Sequence, residues 1–134
     1  MLTSAVAVDK VPDIQSVAED PRIPKPVGYK LLVYVPQAEE KTKGGLYLPD
    51  KERDLSSQST PIVFVVDMGD DAYTDHRRFP SGPLCTKGQW VITRPYSGAR
   101  IKIKGDDGEY YEFRLINDDS VEATVEDPRE IRRA

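Results

Sequence analysis

The sequence predicts an all-β protein, a small sandwich or barrel, on the strength of three observations. About six short segments are rich in β-branched and aromatic residues, and several of them alternate with period two. Glycine and proline turn signals separate these segments, and no stretch is typical of a long helix. The chain has 134 residues, which is the usual length of one domain.

Each of the six segments has its own apolar pattern. Residues 28–35 are apolar on both faces and residues 61–68 form a dense β-branched run, so both are expected to be buried strands. The remaining strands are predicted at residues 89–93, 99–104, 108–116 and 121–127.

Local signals refine the last three strands. A Gly-Asp-Asp-Gly run at residues 105–108 predicts a hairpin, because glycine and aspartate tolerate positive φ. In the final strand the alternation predicts that Val121, Ala123 and Val125 all face inward.

Outside the strands the chain divides into three parts. Residues 1–25 are rich in proline, and we expect an N-terminal arm, extended or with one helical turn, outside the core. The β-barrel domain is expected at residues 26–127 and a C-terminal tail at residues 128–134.

Charge and cysteine content exclude several classes of protein. The chain has 19 Lys and Arg against 23 Asp and Glu, a net charge of −4, which argues against a nucleic-acid binder. One cysteine and one histidine make neither an internal disulfide nor a four-ligand zinc site. The N-terminus lacks the pattern of a signal peptide, and no apolar run is long enough to span a membrane. We therefore expect a cytoplasmic protein with no nucleic-acid or membrane partner.

Catalytic chemistry has little support in the residues. Cys85 and His76 have no diagnostic spacing, so a loop cysteine and a solvated histidine are favoured over a nucleophile and its base. The acidic pairs, at positions 70–71, 106–107 and 118–119, lie at predicted turns, where aspartate is common. No phosphate-binding glycine motif occurs. We expect no enzyme, no cofactor and no metal site.

An anion site is the remaining chemical hypothesis. His76, Arg77 and Arg78, with Arg94 and Arg100, are the cations that could form it. Because the net charge is negative, a surface of mixed charge is the favoured interpretation.

Two long interruptions, residues 37–60 and 69–87, separate the strands. Loops of such length in a compact domain are often functional. The first contains an apolar triplet, Leu46-Tyr47-Leu48, preceded by two glycines. It indicates either a partner-binding segment, or a seventh strand or a segment that folds back over the barrel. Burying two leucines contributes about 3–6 kcal/mol before the cost of ordering, so each contact is weak and a ring of copies would add avidity.

The order of motifs resembles that of the GroES-type co-chaperonins. Residues 41–51, KTKGGLYLPDK, resemble the family's mobile-loop signature of Thr-Lys-x-Gly-Gly and an apolar triplet. Residues 62–69 resemble the following strand, which ends in glycine, and residues 87–92 resemble its Lys-x-Gly strand entry. Residues 112–127 resemble the closing strand pair. The resemblance covers about residues 26–127.

This resemblance implies an irregular GroES-like β-barrel that assembles as a heptameric lid. The lid would close an ATP-driven, GroEL-type chaperonin through its apical domains and would assist folding while meeting the unfolded client only indirectly. By position, Leu46, Tyr47 and Leu48 match the chaperonin-binding triplet, and Gly44 and Gly45 match the hinge of the loop.

Several departures from the family pattern lead to a second hypothesis. Residues 69–87 do not match the family's roof hairpin, and the N-terminal arm and C-terminal tail extend the family core. Such an extended member resembles bacteriophage-encoded co-chaperonins. The alternative is an oligomeric structural protein on the same barrel, such as a phage capsid accessory or cement protein.

Overall fold

The computed structural model describes residues 13–36, 62–94 and 98–128. In these ranges it contains one α-helix, six strands and one 3-10 helix. In chain order they are α1 (Ile14–Glu19), β1 (Lys30–Val35), β2 (Ile62–Met68), β3 (Trp90–Thr93), β4 (Ala99–Lys104), β5 (Tyr110–Asn117), the 3-10 helix (Asp118–Ser120) and β6 (Val121–Val125).

All six strands form one antiparallel sheet in the order β4-β5-β1-β2-β3-β6. The all-β prediction is therefore confirmed, and each predicted strand agrees with an observed one to within two residues at either end. The buried strands β1 and β2 lie at the centre of the sheet, as expected for segments that are apolar on both faces.

Both faces of the sheet carry a packed apolar cluster. We call them the Val33 face and the Tyr34 face after adjacent residues of β1. The Val33 face contains Leu31, Val33, Val35, Val63, Val65, Val91, Ile116 and Val121. The Tyr34 face contains Leu32, Tyr34, Ile62, Phe64, Val66, Trp90 and Phe113. This alternation follows directly from the period of a strand, in which neighbouring side chains point to opposite faces.

The predicted orientation of β6 is wrong for Ala123, which is exposed. Val121 packs on the Val33 face, whereas Val125 packs against the Tyr34 face. The cause is a bulge: Thr93 pairs with Val121 and the adjacent Ile92 pairs with Ala123, so two steps on β6 oppose one step on β3. An extra residue shifts the alternation by one position, which the local pattern does not reveal.

The N-terminal segment differs from the predicted arm. Helix α1 is short, with six residues where one helical turn was predicted. Its Val17 is buried and belongs to the cluster of the Tyr34 face. Ile14 and Ile23 pack against the same cluster. The prediction that this segment stays outside the core is therefore wrong for residues 13–23. Its apolar residues recur at helical spacing, and the two-sided sheet supplies a face for them.

Residues 69–87 form a series of turns that packs on the Val33 face. Tyr73, Phe79 and Cys85 are all buried in that cluster. The rings of Tyr73 and Phe79 meet edge to face, with centroids 4.9 Å apart. The predicted loop therefore contributes a covering layer to the core.

A close backbone crossing fixes the start of this segment. The amide of Gly69 donates to the Lys30 carbonyl at 2.8 Å, and the amide of Asp71 donates to the Gly28 carbonyl at 2.9 Å. A Cβ atom on Gly69 would lie 2.2 Å from the Gly28 carbonyl oxygen, so only glycine fits here. Among the residues that the structure describes, no helix is long and apolar enough to cross a membrane.

Candidate functional site

The predicted binding triplet, Leu46, Tyr47 and Leu48, and the predicted hinge glycines, Gly44 and Gly45, lie outside the described residues. Their roles stay predictions. The structure does describe both strands that residues 37–61 connect, which are β1 before them and β2 after them.

The base of this segment lies at the centre of the sheet. Strands β1 and β2 pair antiparallel, with Tyr34 opposite Phe64, so the chain leaves and re-enters the sheet on neighbouring strands at one end. Val35 and Ile62, the residues at that end, are both buried. The segment therefore begins and ends on a fixed and tightly packed part of the fold.

Charged side chains are buried at the same end of the sheet. Glu112 lies opposite Val35 and accepts two hydrogen bonds from Arg100, at 2.7 and 3.1 Å. It also accepts one from Nε of Arg114, at 3.3 Å. The side chains of Arg114 and Glu112 are only 1% and 5% exposed. We call these three residues the Glu112 cluster.

The electrostatics of the Glu112 cluster follow from its burial. Desolvation lowers the pKa of Arg114, and the nearby Glu112 carboxylate opposes that effect. Arginine retains its charge in proteins, so the guanidinium depends on the carboxylate as a close counter-charge. The second partner of the carboxylate, Arg100, lies on β4, so its bonds to Glu112 join β4 to β5 beside the strand that leads into residues 37–61.

Sequence reasoning missed the Glu112 cluster. The sequence did carry a signal for buried charge. Glu112, Arg114 and the apolar Ile116 occupy alternate positions on β5, so they share one face of the sheet, the Val33 face. Arg100 instead appeared among the cations of a hypothetical anion site. Its pairing with Glu112 depends on the register of β4 against β5.

Two other cations of that hypothesis, Arg78 and Arg94, also lie beside carboxylates. Arg78 lies 3.3 Å from Asp118 and 3.0 Å from Asp119. Arg94 donates to the Asp119 carbonyl at 3.2 Å. These contacts favour the surface of mixed charge, and they tie residues 69–87 to the corner between β5 and β6.

The structure places Cys85 and His76 in different environments. Cys85 is buried beside the Tyr73 hydroxyl, with 3.4 Å between sulfur and oxygen, whereas His76 is exposed. Burial raises the pKa of the Cys85 thiol. A buried thiol with a raised pKa is a poor nucleophile, so this geometry supports the structural interpretation of the cysteine.

Comparison with known proteins now gives the family. Residues 24–124 match the family described as the chaperonin 10 kDa subunit. The chain is 31% identical over 103 residues to co-chaperonin GroES of Caldicellulosiruptor saccharolyticus, covering 77% of this chain and 97% of that protein. It is 30% identical over 102 residues to co-chaperonin GroES of Lawsonia intracellularis, covering 75% of this chain and 90% of that protein. For co-chaperonin GroES of Chlorobium luteolum the identity is 34% over 85 residues, 62% of this chain and 82% of that protein.

The chain therefore belongs to the chaperonin 10 kDa subunit family, with a small all-β GroES-like fold. It is a divergent, GroES-type co-chaperonin, and a GroEL-type chaperonin is the partner that this membership implies. The family match begins at residue 24, so helix α1 precedes the matched range. The alternative of a capsid accessory protein is not favoured.

Proposed function

We propose that this co-chaperonin caps the apical domains of its chaperonin as a ring of seven subunits, and that residues 41–51 are its docking segment. In this proposal Leu46, Tyr47 and Leu48 enter an apolar groove, and Gly44 and Gly45 let the segment turn toward it. The chain acts in the cytoplasm without enzymatic activity or a cofactor. It is organised as an N-terminal arm at 1–25, of which residues 13–23 pack on the Tyr34 face, a barrel domain at 26–127 and a tail at 128–134.

The main support for the proposal is that, in a member of the co-chaperonin family, residues 41–51 lie between β1 and β2 in the chain. The segment joins the two central strands of the sheet, both buried on their two faces. A rigid base limits the freedom that a docking segment loses on binding, so more of the contact energy remains as affinity.

The energetics of a single segment favour reversible capping. A few apolar side chains offset the ordering of the segment by a small margin, so one contact is weak. When several copies belong to one ring, the later contacts become intramolecular and the total affinity rises steeply. A lid built this way binds firmly as a ring and still releases when the groove changes shape.

The decisive experiment is native mass spectrometry of the protein mixed with a bacterial chaperonin, with and without ATP or ADP. We expect a heptamer that joins the chaperonin only when nucleotide is present. A chain that ignores the chaperonin under every condition would overturn the capping proposal.

A matched pair of variants tests the docking residues. Leu48→Glu is expected to abolish chaperonin binding while the ring persists, because a carboxylate cannot enter an apolar groove without a large desolvation cost. The control is Leu84→Glu, the same change at a leucine that is 41% exposed in the 69–87 segment. Equal binding by both variants would exclude Leu48 from the docking surface.

A further inference from the structure

Residues 13–23, which we call the strap, cross the Tyr34 face and cover part of it. Near the start of the strap, Ile14 packs so closely on Gly88 that a Cβ there would lie 2.9 Å from its Cδ1. Val17 is buried in the cluster that contains Trp90 and Phe64. The strap thus shields apolar side chains on β2 and β3.

Most hydrogen bonds of the strap stay within its own segment. Asp13 caps α1 by accepting from the amide of Gln15, and the Asp20 carboxylate accepts from the backbone and side chain of Arg22. Lys25, just beyond the strap, donates to the Ala18 carbonyl at 2.7 Å. These bonds do not join the strap to the sheet, so its position on the sheet depends on other contacts.

One side chain clasps the far end of the strap to the sheet. Nη1 of Arg22 donates to the Asp106 carboxylate at 3.0 Å and to the Lys104 carbonyl at 3.2 Å. Both acceptors belong to the β4–β5 hairpin, and the Asp106 side chain is 95% exposed. An exposed ion pair of this kind is weak and is screened by salt.

The connection between strap and sheet is suited to act as a hinge. It runs through Pro24 and Pro26 without helix or strand, and Val27 is 75% exposed. Two prolines stiffen the connection, so rotation concentrates in the few residues beside them. A six-residue helix is too short to persist by its own hydrogen bonds. The closed position therefore depends on the packing of Ile14, Val17 and Ile23 and on the Arg22 clasp.

From these observations we infer that the strap is a latch: it lifts from the Tyr34 face about residues 24–27, and its short helix unfolds as it leaves, while the sheet remains folded. Few contacts hold the strap to the sheet, whereas β1 is buried and pairs with two strands. The strap therefore has one of the lowest free energies of local opening in the fold. Opening exposes the apolar surface around Trp90. The strap, residues 13–23, lies before the family match, which begins at residue 24.

Hydrogen exchange and fluorescence on the full-length protein test the latch together. The strap reporters are the amides of Val17 and Asp20, which donate to Asp13 and Val17 carbonyls, and the reference is the set of β1 amides. Trp90 is the only tryptophan in the chain, so acrylamide quenching reports directly on the covered face.

For Arg22→Ala we expect strap amides to exchange a few-fold faster, about 3-fold, with β1 amides unchanged. Trp90 quenching should increase in the same variant, and 1 M NaCl should reproduce both effects in the unaltered protein. Arg77→Ala, which removes an exposed arginine outside the strap, should leave both readouts unchanged.

Two outcomes would overturn the latch. If the strap and β1 amides exchange at one common rate, the strap unfolds only with the sheet. If the strap amides accelerate in Arg22→Ala but Trp90 quenching does not, then α1 frays in place and never leaves the face.

Discussion

The buried carboxylate of Asp118 accepts a hydrogen bond from the backbone amide of Tyr73 at 3.1 Å, joining residues 45 positions apart. Tyr73 has a φ of 61°, in the left-handed region that non-glycine residues seldom adopt. The bond stabilises this turn and holds residues 69–87 against the Val33 face. Arg78 adds a charged contact to the same carboxylate.

We expect Asp118→Ala to lower the free energy of unfolding by about 2 kcal/mol, because it leaves a buried amide without its acceptor. Urea denaturation monitored through Trp90 measures the change. Asp119→Ala is the control, since that side chain is 49% exposed and its ion pairs should contribute less than about 1 kcal/mol. Equal losses in the two variants would contradict the importance of the Tyr73 bond.

Removal of the Glu112 carboxylate should be more damaging. Glu112→Ala leaves the guanidinium of Arg114 buried without its close counter-charge, and we expect a loss of about 3–5 kcal/mol in urea denaturation. Glu122→Ala changes an exposed glutamate on β6 and should alter stability by less than about 0.5 kcal/mol. A loss below about 1 kcal/mol for Glu112→Ala would show that water readily solvates Arg114.

Alkaline pH should destabilise the fold through Tyr34. Burial, with a smaller contribution from Tyr111, raises the pKa of Tyr34 to about 12 from an ordinary value near 10. The native state therefore favours the neutral hydroxyl. The stability that this preference contributes is complete below pH 10 and is lost as the pH rises from 10 to about 12.

Urea denaturation between pH 8 and 11.5 tests this dependence. We expect a shallower decline for Tyr34→Phe than for the unaltered protein, with Tyr29→Phe as the control at a half-exposed ring. At pH 8, Tyr34→Phe should keep or slightly raise stability, because its buried hydroxyl has no hydrogen-bond partner among the described residues. An unchanged alkaline slope would refute the role of Tyr34.

Gly69→Ala should be severely destabilising. Its methyl group would collide with the Gly28 carbonyl oxygen, so the crossing of residues 28–30 and 69–71 must open, at a cost above about 3 kcal/mol. Gly82→Ala is the matched control: Gly82 has a φ of 89° but open space around it, which limits the cost to about 1–2 kcal/mol of backbone strain. Thermal denaturation of the two variants gives the comparison.

The sequence predicted the strands well because burial imposes a local period on them. Segments apolar on both faces became the central strands β1 and β2, and the glycine-aspartate run became the β4–β5 turn. The bulge opposite Ile92 escaped prediction, since it depends on pairing between distant segments. The packing of Val17 escaped for a similar reason: an amphipathic turn has the same pattern whether or not a face receives it.

The candidate site was predictable in part. The motif at residues 41–51 gave the docking residues by resemblance, and they stay predictions. The Glu112 cluster required the register of β4 against β5, because Arg100 and Glu112 lie 12 positions apart on the two strands of one hairpin and only their exact pairing brings them together. The turn at residues 105–108 predicts the hairpin but not this register.

The central position of β1 and β2 has a mechanical consequence. A partner that pulls on residues 37–61 pulls both strands lengthwise in the same direction. Each strand also has an outer neighbour, β5 for β1 and β3 for β2, so the load is resisted in shear by two antiparallel ladders at once. Shear breaks many hydrogen bonds together, whereas a pull at an edge strand would peel them one by one. A load applied at residues 37–61 would therefore be spread over the four central strands of the sheet.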